Sequence, residues 1–210
     1  MMQNDQLIIG ITGNSGSGKT TVAKILETVG GYAIDADIVA HRVMEPDQSA
    51  YKKIVAVFGP DILGHEGKID RKKLGAVVFA DEKKRTQLEN IVHPLVIDEI
   101  LKEIAHVNAA FIVVDAVLLV ESGLYRHCDA VWLITAPKED RQKRIIARDD
   151  LSQEAAQARM HNQRDTGPIA AVSQTVICND GSLSTLEALV NESLTQLMES
   201  AEFRRFEEKR

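Results

Sequence analysis

The chain has 210 residues, enough for one medium domain or a core carrying an inserted lobe, and its 44% hydrophobic content is ordinary for a globular protein. Lys and Arg number 25 against 31 Asp and Glu, and the resulting formal charge of −6 excludes a general attraction to nucleic acid or anionic membrane, so any anion must be held by a local site. No apolar run approaches the roughly 18 residues that span a bilayer, Met1–Asp5 lacks the pattern of a secretory signal, and the two cysteines, Cys128 and Cys178, have no Cys/His cluster around them. A cytoplasmic protein with two reduced, buried thiols, no zinc site and no disulfide is expected.

Leu7–Ile11 reads as a short buried strand and Thr21–Leu26 as a helix. Between them Gly13-Asn14-Ser15-Gly16-Ser17-Gly18-Lys19-Thr20 satisfies every fixed position of the phosphate-binding loop G-x-x-x-x-G-K-[ST]. The glycines let the backbone turn with its N–H groups inward, and the positive end of the following helix adds to the cradle. Lys19 supplies a mobile charge for β- and γ-phosphates, and the Thr20 hydroxyl is placed to coordinate Mg²⁺. The alternative is a Gly/Ser turn that only caps a helix, but the strand and helix on either side favour the phosphate loop.

Gly30-Gly31 ends the first helix, and Tyr32–Asp35 reads as a second strand running into Ala36–His41. Asp35 and Asp37 then fall near a strand's carboxyl end, the edge where open α/β sheets bind ligands. From about 46 to 108 the pattern is helical. Tyr51, Ile54, Val55 and Phe58 share a face that stops at Gly59-Pro60, and Ile69–Phe79 is a turn leading into a helix. A longer apolar face follows from Leu88 to Ile104, with a kink or break expected near His93 because of Pro94. This stretch reads as a helical insertion capping the binding edge.

Phe111–Asp115 is an apolar run ending in an acid, a buried parallel strand whose Asp115 is a candidate Mg²⁺-side carboxylate or, alternatively, a helix cap or loop acid. Ala130–Ile134 is a further strand. Arg141, Arg144 and Arg148 then fall on one face of a helix with few apolar residues beyond Ile145 and Ile146, expected to be exposed: a solvated face, or a lid closing on a transferring phosphate. Thr175–Cys178 is the last strand, Asn179-Asp-Gly181 its turn, and Leu186–Met198 a final helix, with the charged tail from Glu202 to Arg210 fraying.

In this order the blocks resemble the dephospho-CoA kinase family. They are Gly10–Gly13 with Gly16–Ala23, Ile34–His41, Phe58-Gly59, Ile69-Asp-Arg71 with Leu74, Val78-Phe79, and Leu88–Pro94. Leu118-Leu-Val-Glu121 after Asp115, Arg144, Arg148-Asp149, Gln163 and Val176–Asn179 complete the series, over about residues 7–183. The resemblance implies an α/β, P-loop kinase-like three-layer fold with a parallel sheet: core about 5–45, 109–137 and 172–200, substrate-side helical insertion about 46–108, lid about 138–171. It implies ATP and Mg²⁺ as donor and cofactor, and dephospho-CoA, phosphorylated on its ribose 3′-hydroxyl, as acceptor. No nucleic acid, membrane or obligatory protein partner is expected.

Residue by residue, the resemblance makes Asp37 the general base, with the alternative that it caps its helix. Lys19 and Arg144 act on the transferring group. Gly13, Asn14, Ser15, Gly16, Ser17, Gly18, Lys19, Thr20, Thr21, Arg144 and Arg148 contact the nucleotide, and Thr20 and Asp115 the metal. His41, Arg71, His93, Leu118 and Glu121 lie on the acceptor side, each histidine equally open to a structural hydrogen bond. The sequence departs from the family at Asn14-Ser15, Val117, Val120, Arg141 (usually Gln), Ile169 and Ser173-Gln174. The rival readings are another small-molecule P-loop kinase, and a nucleotide-binding protein without catalysis.

Overall fold

A computed structural model of the chain describes residues 6–161, 163 and 165–208. The expectations for Met1–Asp5, and for the tail at Lys209-Arg210, lie outside them. Two compact units emerge, one built from the residues up to Ile34 together with those from Asn108 onward, the other from Asp35–Val107.

The first unit carries a five-stranded parallel sheet of order β2-β3-β1-β4-β5. The strands are β1 Leu7–Thr12, β2 Gly31–Asp35, β3 Phe111–Asp115, β4 Ala130–Thr135 and β5 Thr175–Cys178. Phe111 to Val114 are all buried, because a central parallel strand is covered on both faces. The ladder sets Ile11 opposite Asp115 and Thr12 opposite Leu133, so the segments that follow β1, β3, β4 and β5 emerge along one sheet edge. Helices α1 Lys19–Thr28 and α9 Leu183–Glu208 cover one face. Val22, Ile25 and Leu26 of α1, with Leu186, Val190 and Leu194 of α9, pack on Ile9, Ile11, Trp132 and Ile134. On the other face the β3–β4 connector folds back: Leu119 is fully buried, and a Cβ on Gly10 would stand 2.8 Å from both a Leu119 methyl and the Cys128 sulfur. The helical backbone of α9 runs on through Glu208, past the position where fraying was expected.

The second unit comprises α2 Ala36–Val43, α3 Ser49–Phe58, α4 Arg71–Ala80 and α5 Glu82–His106. Asp35, Asp70 and Asp81 each accept hydrogen bonds from two backbone N–H groups at the starts of α2, α4 and α5. Helix α5 is the spine against which α2, α3 and α4 pack, burying Val96, Ile100 and Ile104. Pro94 does not break it; the helix is continuous from Glu82 to His106. An internal proline costs about 3 kcal/mol, and burial of three aliphatic side chains along one helix, each worth about 1.5–3 kcal/mol, outweighs that.

The remaining helices, α6 Lys138–Asp149, α7 Gln153–His161 and the short α8 Gly167–Ala170, belong to the first unit. Ile145, Ala156 and Met160 form their own small core. Among the described residues no helix is long and apolar enough to cross a membrane.

Two expectations are corrected. The α6 arginine face is only partly solvated: Arg148 is exposed as expected, but Arg141 and Arg144 are half-buried, because α6 packs its backbone directly on the glycine loop. Nor are both thiols buried. Cys178 is exposed, since β5 is an edge strand with alternate residues facing out, and Cys128 is partly buried.

Candidate active site

The loop after β1 turns on Gly16 and Gly18, with φ of 81° and 99°, in the left-handed region that side chains disfavour. Space alone also demands glycine. A Cβ on Gly16 would come within 2.7 Å of the Arg141 carbonyl oxygen, and one on Gly18 would collide with the Asn179 amide. Ser17 N–H donates to the Asn14 carbonyl at 3.1 Å, closing the turn. Gly18 is the N-cap of α1 and offers no side-chain acceptor; its carbonyl takes the Thr21 N–H at 3.0 Å, and no capping side chain competes with an anion for the amides of Lys19 and Thr20. Lys19 folds back so that its Nζ donates to the Gly13 carbonyl at 3.0 Å, over the loop. Thr20 is exposed in the first turn of α1, and Thr21 beside it is half-buried.

Helix α6 leans on this loop. Arg144 donates to the Gly16 carbonyl at 3.3 Å and, through its other terminal nitrogen, to the Asn179 backbone carbonyl at 3.1 Å and side-chain oxygen at 3.3 Å. Arg148 donates to the Ser15 hydroxyl at 3.2 Å and to both carboxylate oxygens of Asp149, which Arg159 also engages. The Arg148 hydrogen bond, foremost, holds the Asp149 carboxyl below the usual range. Arg141, which replaces the family's usual Gln, donates to the side-chain Oε1 of Gln163 at 3.0 Å, and burial lowers its pKa. A polyphosphate on this loop would meet backbone amides, one ammonium and guanidinium groups together.

Asp115 ends β3 opposite Ile11, half-buried at the strand edge from which the loop also leaves. Downstream, Leu118 is half-buried and Glu121 exposed, whereas Leu119 lies beneath the sheet under Gly10. Cys128 shares that contact; burial, then the charge of Asp129, pushes its thiol up to about 12, so it is a packed neutral group and not a nucleophile.

In the helical unit the cap of α2 is Asp35, whose carboxylate accepts from Asp37 N–H at 2.8 Å and Ile38 N–H at 3.0 Å. Asp37 therefore does not cap; it stands exposed in the first turn. His41, one turn on along α2, and Met44 and Glu45, just past the end of that helix, line a cavity of about 240 Å³ with Lys68, Ile69 and Arg71. The fold thus brings His41 and Arg71 to one cavity. His93 sits half-buried on α5 and is not among that cavity's lining residues.

Asn179 and Lys68 were not singled out as site residues from the sequence. Asn179 had two signals, its place at the carboxyl end of a strand and its membership of the Val176–Asn179 block that carries the family resemblance. Lys68, in the turn before α4, had none.

A phosphate loop following the central strand of a parallel sheet, with an arginine-bearing helix packed on it, defines a P-loop kinase. The chain belongs to the dephospho-CoA kinase family: the family model of that description matches residues 7–185. It is similar to the dephospho-CoA kinase of Geobacter sulfurreducens, 42% identical over 188 residues covering 88% of this chain and 95% of the relative. Among solved structures it resembles TT1252 from Thermus thermophilus (34% identity, TM-score 0.78, covering 91% of this chain and 98% of that one). It also resembles dephospho-CoA kinase from Campylobacter jejuni (32% identity, TM-score 0.66, covering 92% and 98%).

Proposed function

We propose that the protein transfers the γ-phosphoryl group of ATP to the ribose 3′-hydroxyl of dephospho-CoA, giving coenzyme A and ADP. The observation that carries the chemistry is the division of labour in the Asp-Ala-Asp block. Asp35 spends its carboxylate on the α2 cap, leaving the exposed Asp37 carboxylate outside the capping role. A carboxylate so placed can accept the hydroxyl proton as the oxygen attacks in line.

The other roles follow from residue type and position. Backbone groups of residues 13–20, with Thr21 beside them, and the Lys19 ammonium bind the phosphates. Arg144 and Arg148 face the charge that spreads over the transferring oxygens. Two oxygen donors, the Thr20 hydroxyl and the Asp115 carboxylate, suit Mg²⁺, which keeps several waters and binds through one or two protein ligands plus substrate phosphates. The ion would supply neutralisation of the phosphate charge. His41, Arg71 and the cavity between them bind the acceptor, with His93, Leu118 and Glu121 as further acceptor-side groups. Positioning and electrostatics then suffice, with no covalent enzyme intermediate.

The test is ADP formation from ATP with dephospho-CoA, set against a panel of nucleosides and nucleotides. Turnover that requires dephospho-CoA and yields coenzyme A supports the proposal. An active preparation that ignores dephospho-CoA and phosphorylates another acceptor overturns it, as does ATP binding without turnover on any acceptor.

A further inference from the structure

Asn179 lies at the carboxyl end of β5 and is only 8% exposed. Its backbone N–H donates to the Thr135 carbonyl at 2.8 Å, which ties the residue to β4. Its side-chain nitrogen donates to the Ser17 carbonyl at 2.9 Å, while its side-chain and backbone oxygens accept from Arg144 at 3.3 Å and 3.1 Å. Arg144 closes the circuit by donating to the Gly16 carbonyl at 3.3 Å. Loop, amide and guanidinium therefore hold one another, and the absence of a side chain at Gly18 is what lets the amide lie against the loop.

The chemistry selects an amide at this position. Its nitrogen faces a carbonyl and must donate, and its oxygen faces a guanidinium and must accept. A carboxylate of the same shape would repel the Ser17 carbonyl and neutralise Arg144. The contrast within the arginine face is sharp: Arg148 and Arg159 share the Asp149 carboxylate, whereas the acceptors holding Arg144 are all neutral oxygens.

We infer that Asn179 is a positioning residue for phosphoryl transfer: it holds the Arg144 guanidinium against the phosphate loop without compensating its charge. That charge stays available to the transferring phosphate, where a preorganised cation acts most strongly. The inference rests on the proposed kinase activity and assigns Asn179 no contact with either substrate.

The experiment is a double-mutant cycle read as kcat and KM for ATP and dephospho-CoA, with Tm measured on each protein. Asn179→Asp is expected to lower kcat by about 30-fold or more, while KM for dephospho-CoA stays within about 3-fold. In an Arg144→Lys background, where the planar fork is gone, the same substitution should cost no more than about 3-fold further. A merely structural asparagine would give equal losses in both backgrounds, tracking Tm, and that result overturns the inference; so does an Asn179→Asp enzyme with unchanged kcat. If Asn179→Asp does not fold, Asn179→Ser is put through the same cycle with the same criterion. Should the wild type prefer another acceptor, the proposed function falls and the cycle is read on that acceptor, so the two failures remain distinct.

Discussion

Gly16 and Gly123 have the same φ, 81°, and belong to the same unit, yet their surroundings differ. A Cβ at Gly16 would stand 2.7 Å from the Arg141 carbonyl oxygen and 3.0 Å from the Arg141 Cα, both backbone atoms, whereas at Gly123 the nearest atom is the end of the Arg126 side chain at 3.5 Å. Alanine at either position carries the left-handed backbone penalty of about 1–2 kcal/mol. Only Gly16→Ala adds the overpacking term of about 1–3 kcal/mol, because helix backbone yields less readily than a side-chain tip. The two variants should therefore differ by about 2 kcal/mol, which for a chain of this size is roughly 4–8 °C in Tm. Scanning calorimetry on both proteins measures the difference. Because the clash pushes α6 off the loop, Gly16→Ala should also lose the Arg144 contact with the Gly16 carbonyl and with it most activity, while Gly123→Ala keeps activity near wild type. Equal Tm losses for the pair, or a fully active Gly16→Ala enzyme, would refute the close approach of α6 to the loop.

Asp37→Asn should leave ATP binding within about 3-fold and lower kcat by about 10²–10⁴-fold, the range for loss of a general base; isothermal titration with ATP and a coupled ADP assay separate the two. Because the α2 cap is Asp35, Asp35→Ala should lower stability by about 1 kcal/mol, measured as a fall in Tm. At pH 8 iodoacetamide should label the exposed Cys178 and spare Cys128, whose pKa of about 12 leaves almost no thiolate; mass spectrometry of the digest reads both sites, and rapid Cys128 labelling in folded protein contradicts its packing against Gly10. Asp149 titrates below its ordinary value of 3.8 in the folded protein, so its stabilisation is complete above that pH and is lost as the pH falls through the lower folded value. Wild type and Asp149→Asn should differ in Tm at neutral pH and converge as the pH drops below about 4; a gap that persists in acid would show that the contribution is not electrostatic.

The strands Phe111–Asp115 and Thr175–Cys178 were legible to the residue, since short apolar runs between turn signals leave little choice of bounds. The phosphate loop was equally legible, because φ preferences and backbone approach are local demands that only certain residues meet. The α6 arginine face was not. Three arginines at helical spacing look solvated in isolation, and nothing in their spacing tells that Gly13–Thr20 would receive the helix backbone. The continuity of α5 through Pro94 was not legible either, because the proline's local cost is outweighed by burial along α5 that involves three other helices. The roles of Asp35 and Asp37 could be separated only once the start of α2 was known to a single residue.

The sequence by itself determined the chemistry available to this protein: a phosphate loop, a block of acids at a strand end, a row of arginines and the family that combines them. Each rests on short-range rules of backbone conformation and residue type. The tertiary structure decided which of those groups meet. It alone turned Asn179 from a turn residue into the partner of Arg144 and Ser17, residues 35 and 162 positions away, because parallel ordering of β1, β4 and β5 brings their carboxyl ends to one edge however far apart they lie in the chain.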